Sequence, residues 1–223
     1  MTTPIKIDIW SDVACPWCYI GKRNLDSALA AFAGAHPGSE VDVRYRSFEL
    51  QPEAPESYPG TVAEYLEATR GFSEEQAKAM LERPRAAAEQ AGIEMDFEAL
   101  RPARTTRAHQ LLHLARERGR QAELNEVLFR ANFEEGRSLG DTGELLDLAE
   151  AAGLDRQEAL DALESGRYLE AVEADKEKAF EHGIGGVPFF VFSDRFGVAG
   201  AQPAEVLRQA LEQVEAESQE AAG

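Results

Sequence analysis

Cysteine is nearly absent: the 223 residues hold two, at Cys15 and Cys18. A framework of several disulfides is therefore excluded. Basic residues are scarce too, with 23 Lys and Arg against 41 Asp and Glu and a net charge of −18. That balance argues against a nucleic-acid partner, because phosphate contacts need Lys and Arg. It fits solubility through acidic helix faces. No apolar run is long enough to span a membrane. The first residues, Met1 to Lys6, lead straight into a strand pattern with no basic segment and no apolar one. No secretory leader is legible, and a cytoplasmic setting is expected. Histidine is limited to His36, His109, His113 and His182. A Cys-x-x-Cys can be half a zinc site, but the compact spacing of the other ligands is missing, so no metal is expected.

What is present centres on residues 5–21. Ile5, Ile7 and Ile9 alternate with Lys6 and Asp8, which predicts a strand with one buried face. A short polar turn, Ser11-Asp12, follows. Then Cys15-Pro16-Trp17-Cys18 runs into Leu25, Ala28, Leu29 and Phe32 at helical spacing. The cysteine pair thus sits where a strand hands over to a helix. Pro16 has no N–H to lose and suits the first helical position. Cys15 is then placed at the helix N-terminus, where unpaired amides and the positive dipole end stabilise a thiolate. Cys18, one turn on, is placed to resolve a mixed disulfide. In a cytosolic chain with only these two cysteines, the pair reads as redox-active and not as a staple.

The remainder predicts a first helix from 15 to 33 that stops near Gly34, and a second strand at 41–48, giving a βαβ unit with a parallel pair. Pro52, Pro55 and Pro59 make 49–60 irregular. Helices fill 61 to 182, starting with capping boxes at Thr61/Glu64 and Ser73/Gln76. Pro84 is expected to kink or divide its helix near Arg83. Further helices are expected at 104–118, 120–135, 142–152, 156–164 and 167–182. Leu111, Leu112, Leu114, Leu124, Leu128 and Phe129 read as core. His109 and His113 share a helix face and read as packing or surface residues. Strands return at 187–200, with a hairpin turn at Ser193–Gly197. A last helix carries Val206, Leu207, Ala210, Leu211 and Val214, and the tail after Glu215 is expected to fray. Trp10 and Phe48 read as core, and Trp17 as an exposed aromatic beside the cysteines.

Three segments carry a family likeness. Ile9–Lys22, Leu128–Phe133 and Gly185-Gly186-Val187-Pro188-Phe189-Phe190 resemble the FrnE-type branch of the DsbA/2-hydroxychromene-2-carboxylate isomerase superfamily of thioredoxin-like proteins. The resemblance covers nearly the whole chain. It implies an α/β, thioredoxin-like fold with a large all-helical insertion between the second strand and the cis-proline strand. The corresponding division is 1–60 and 175–223 as the thioredoxin-like domain and 61–174 as the insertion. It implies thiol–disulfide exchange with Cys15 as nucleophile and Cys18 as resolving thiol. Pro16, Trp17, Val187 and Pro188 are implied to line the substrate groove, with Pro188 in the cis form and Val187 offering its backbone. The implied partner is a protein or small-molecule thiol or disulfide, glutathione among them, with no cofactor. Arg104 departs from the branch, which often has Asn there. The second, C-terminal cysteine pair of some members is missing, so no relay to a second dithiol within the chain is open. The alternative is a glutathione-dependent isomerase or transferase of the 2-hydroxychromene-2-carboxylate or kappa class. Those enzymes carry Ser at the position of Cys15. No interface pattern assigns an oligomer.

Overall fold

The computed structural model describes residues 4–222, with side chains through Ser218. The alternating isoleucines form β1 (Ile5–Ser11), one residue longer than the turn pattern suggested, because Ser11 still pairs. β2 (Val41–Ser47) lies parallel to it, from Ile5↔Val41 to Ser11↔Ser47. β3 (Phe189–Phe192) runs antiparallel to β1 on its other side, and β4 (Phe196–Ala199) returns beside β3. The order is β2-β1-β3-β4. The β3–β4 turn places Ser193 and Asp194 at φ 48° and 56°, closed by the Arg195 N–H on the Phe192 carbonyl at 2.9 Å. Two successive positive φ values are what a tight hairpin needs to follow the strand twist.

Helices cover both faces. Helix α1 (Pro16–Ala35) passes through Gly34 and ends one residue later. It turns Leu25, Ala28 and Phe32 toward Ile5, Ile7, Ile9, Phe190 and Phe192. Between β2 and β3 come α2 (Val62–Arg70), α3 (Glu74–Gln90), α4 (Thr106–Glu117), α5 (Gln121–Phe133), α6 (Thr142–Ala151), α7 (Arg156–Ser165) and α8 (Leu169–Glu181). Helix α9 (Ala204–Ala222) lays Leu207, Leu211 and Val214 on the same sheet face as α1. On the opposite face Trp10 meets Ala179 of α8 and Ile184, with Phe48 packed against them half-buried. Both capping boxes form, at Thr61/Glu64 and Ser73/Gln76.

The structure departs from expectation at Pro84 and at the C-terminal tail. Pro84 does not divide its helix: α3 is one element, and Pro84 is buried on the same face as Ala77 and Ala88. A proline removes one backbone hydrogen bond, and here burial of the ring and a capped start outweigh that loss. The tail does not fray at Glu215 either, since α9 runs to Ala222. Ser39 donates to Glu215 at 2.7 Å and Arg195 pairs with Glu217 at 3.0 Å, tying the last turns to the sheet side.

A buried carboxylate joins the sheet to α4 and α8. Asp175 takes Arg46 Nη1 at 2.9 Å, the Ser47 N–H at 3.1 Å and lies 3.3 Å from His113 Nε2. Arg46 Nε also reaches Asp8 at 2.6 Å, and the Trp10 indole donates to the Asp175 carbonyl at 2.8 Å. Burial pushes the Asp175 carboxyl up, but hydrogen bonds from His113, the Ser47 amide and Arg46 together hold it below the ordinary range. The folded state therefore binds fewer protons here than the unfolded chain, whose Asp titrates near ~3.9. The contribution is fully present above that pH and is lost as pH falls through the lower folded value. In urea titrations between neutral pH and ~3, Asp175→Ala is expected to cost about 3 kcal/mol at neutral pH and to flatten the acid loss. An unchanged acid limb would show that this group does not carry it.

Candidate active site

Cys15 is the N-cap of α1, at φ −94° and ψ 115°, with Pro16 opening the helix. Its carbonyl accepts the N–H groups of Cys18 at 3.0 Å and Tyr19 at 3.3 Å, while its own N–H donates to the Asp12 carbonyl at 3.0 Å. No side chain caps this helix start, and its first turn carries no acidic residue. The amide ends and positive dipole end of α1 are left facing Cys15. Both cysteines are free thiols, buried at 3% and 2% exposure. Burial pushes the Cys18 thiol well up, and the adjoining Cys15 adds to the effect; hydrogen bonds from the Asp12 backbone and the Ser11 side chain pull the other way without reversing it.

The late strand reaches this turn. Cys15 Sγ lies 3.7 Å from the Val187 carbonyl oxygen, and the Val187–Pro188 peptide is cis. Pro188 is buried and Val187 half-buried. A side chain at Gly21 would have no room, because its Cβ would fall 2.9 Å from Pro188 Cγ and 3.3 Å from Phe190 Cζ. The structure thus brings Cys15, Cys18, Val187 and Pro188 together. Pro16 stands beside them half-buried. Trp17 is half-buried and not exposed, because it packs on the helical core and the Arg83 guanidinium lies 5.5 Å from its ring centroid. Tyr19, on the other side, is fully buried against Phe129 with centroids 5.0 Å apart.

Sequence reasoning passed over the residues that hold this turn. Asp12 is 1% exposed; its carboxylate accepts the Ala14 N–H at 3.2 Å and the Leu50 N–H at 2.8 Å. His109 is 1% exposed; its Nε2 lies 3.5 Å from Asp12 Oδ1 and has no hydrogen-bond partner among the described residues. Asn132 of α5 donates to the Val13 carbonyl at 3.3 Å. The signal for Asn132 was its place in the Leu128–Phe133 segment; nothing local pointed to Asp12 or His109. His113 faces Asp175 and the Ser47 hydroxyl, so the two histidines serve different contacts. Among the described residues no three His, Cys, Asp or Glu side chains are arranged to hold a metal ion. A cleft of about 80 Å³ opens beside the turn, lined by Asp12, Ala14, Leu50, Val62, Tyr65 and Leu66 among others.

Two glycines of α1 separate site packing from helix propensity. Gly21→Ala is expected to destabilise by about 1–3 kcal/mol through overpacking, even though Ala is the better helix former by up to ~1 kcal/mol. Gly34→Ala, with nothing within 4 Å, is expected to stabilise by about 0.5–1 kcal/mol. Urea midpoints of the two variants check the pair, and equal shifts would refute tight packing at Gly21.

Comparison with known proteins shows the family and the fold. Residues 6–212 match the family model described as a DSBA-like thioredoxin domain. The chain is 30% identical over 209 residues to the uncharacterized protein YwbO of Bacillus subtilis (strain 168), covering 93% of this chain and 96% of that one. A probable DsbA oxidoreductase from Streptomyces coelicolor, SCO1869, is 42% identical in sequence and superposes with a TM-score of 0.86 over 96% of this chain and 91% of that one. The cytosolic disulfide reductase DsbM from Pseudomonas aeruginosa, solved with GSH, shares the fold at 19% identity and a TM-score of 0.63, over 93% of this chain and 98% of that one. The chain belongs to the family of DSBA-like thioredoxin domains.

Proposed function

We propose that the protein is a thiol–disulfide oxidoreductase in which Cys15 attacks and Cys18 resolves. The observation that carries this is the asymmetry of the pair. Cys15 caps α1 beside the Val187 carbonyl, whereas Cys18 lies one turn inside the helix, where burial pushes its thiol well up. A Cys15 thiolate attacks one sulfur of a substrate disulfide, forms a mixed disulfide and expels the other sulfur as a thiolate, which takes a proton from water. Cys18 then loses its proton and attacks Cys15 Sγ. The substrate leaves with two more electrons, and the protein holds the Cys15–Cys18 disulfide. Two thiols of the glutathione class return the pair to the dithiol: one forms a mixed disulfide with the protein, the second releases it, and the two leave as their own disulfide. The Asp12 backbone and Ser11 side chain supply hydrogen bonds to the Cys18 sulfur at the moment it becomes charged. Val187 offers its backbone to an extended substrate, while Pro16, Trp17 and Pro188 shape the groove.

Against a cytosolic glutathione poise of roughly −220 to −320 mV, a strongly oxidising pair would stay reduced. Reductase or isomerase work in the cytoplasm follows. DsbM, described as a cytosolic disulfide reductase, supports that direction. The second reading is a glutathione-dependent isomerase or transferase, supported by the GSH bound to DsbM. Retention of both cysteines favours the first, since only a pair can cycle as a disulfide.

Insulin reduction with glutathione present tests the two. Cys15→Ser is expected to abolish turnover, at least a hundredfold, and Cys18→Ala to accumulate a mixed disulfide on Cys15. Brief alkylation of the reduced protein is expected to label Cys15 before Cys18. Reduction that survives Cys15→Ser, or first labelling at Cys18, would overturn the assigned roles.

A further inference from the structure

Trp17 lies between the two cysteines in the first turn of α1, half-buried against the helical core. Facing it is α3, whose Arg83 guanidinium lies 5.5 Å from the Trp17 ring centroid. The Arg83 side chain is exposed and forms no ion pair and no hydrogen bond among the described residues. The sequence of α3 explains why. The helix carries Glu74, Glu75, Glu82 and Glu89, yet the positions three and four residues from Arg83 are Ala79, Met80, Ala86 and Ala87. Those are the places from which a carboxylate reaches a neighbour along a helix. Glu82, next in sequence, turns instead to Arg85 at 3.8 Å, and Arg85 also meets Glu98 at 3.1 Å. The helix thus neutralises one arginine and leaves the other bare, in a chain of net charge −18. Burial of Pro84, the following residue, anchors α3 at this point. Met80, 44% exposed, stands one turn before Arg83 on the same helix face.

A guanidinium stacked on an aromatic ring uses its face, which leaves the N–H groups at its edge for a planar carboxylate. The cysteine turn supplies no competing acid. The first turn of α1 carries none, and the buried Asp12 carboxylate is taken up by the Ala14 and Leu50 amides. A carboxylate brought to the cysteines therefore meets an unpaired cation there, while the net charge of the chain opposes its approach elsewhere. We propose that Arg83 is a specificity-determining residue of the cysteine site, selecting disulfides that carry a carboxylate close to the reacting sulfur. The inference rests on the thiol–disulfide reading above and adds a class of substrate to it. An acidic segment of a polypeptide and a small molecule such as oxidised glutathione share that carboxylate. Met80 offers an adaptable apolar surface beside it.

Single-turnover oxidation of the reduced full chain tests the assignment. The oxidants are peptide disulfides alike except for Glu, Gln or Lys beside the cysteine, and oxidised glutathione, each in excess. Apparent affinity and limiting rate are read separately. Wild type is expected to prefer the Glu peptide to the Gln peptide by about three- to fivefold, through affinity and not limiting rate. The Lys peptide is expected to be the poorest, and high salt to shrink the differences. Arg83→Gln is expected to equalise the Glu and Gln peptides, and Arg83→Glu to favour the Lys peptide. Arg156→Glu, the same charge change on α7, is expected to keep the wild-type order. If Arg83→Glu fails to fold, Arg83→Lys keeps the charge without the planar stack and is expected to keep the order with a smaller ratio. Oxidised glutathione separates the two sources. Loss of the peptide preference in Arg83→Gln assigns polypeptide substrates, and weakening of glutathione alone assigns a small molecule with the same carboxylate. An Arg83→Gln variant that changes neither overturns the assignment and leaves the oxidoreductase reading standing. Failure of every disulfide to oxidise the wild-type pair overturns that reading, and this one with it.

Discussion

The start of α1 is the constraint that the site depends on. A helix that begins at Cys15 with no side-chain cap leaves its first amides to the cysteine turn. That start is held from several directions. Asp12 clamps the loop before it through the Ala14 and Leu50 amides, Asn132 reaches the Val13 carbonyl, and Gly21 sits against Pro188 and Phe190 with no space for a methyl group. Under the proposed mechanism, pre-set dipoles around the Cys15 sulfur need no rearrangement when its charge appears.

Helix α1 is also shared between two cores. Its first turns, with Cys18, Tyr19 and Ile20, pack into the large cluster built from α4, α5, α6 and α7. Its later turns, with Leu25, Ala28 and Phe32, pack on the sheet with α9. Between the two, Lys22 and Arg23 pair with Glu126 at 2.7 and 2.8 Å, and the Tyr19 hydroxyl donates to Glu134 at 2.5 Å. Burial and the neighbouring carboxylates keep Tyr19 protonated. One rigid helix thus carries the cysteine turn on one core and its support on the other, which fixes the turn against the Val187 end of β3.

Much was legible in the chain alone because it is governed by near neighbours. The alternation in 5–9, the proline after Cys15, both capping boxes and the helical stripe of α9 each rest on contacts within a few residues or on one periodicity. The cysteine pair and its place at a helix start came from the same local logic. Pro84 and the α9 tail misled because burial against distant partners outweighed a local rule. Tertiary structure alone decided that Asp12 would meet His109, that Asp175 would gather Arg46, Ser47 and His113, and that Val187 would stand 3.7 Å from Cys15. These pairs are separated by about a hundred residues or more in several cases, and no periodicity encodes which buried polar groups will meet once the helices and sheet have packed.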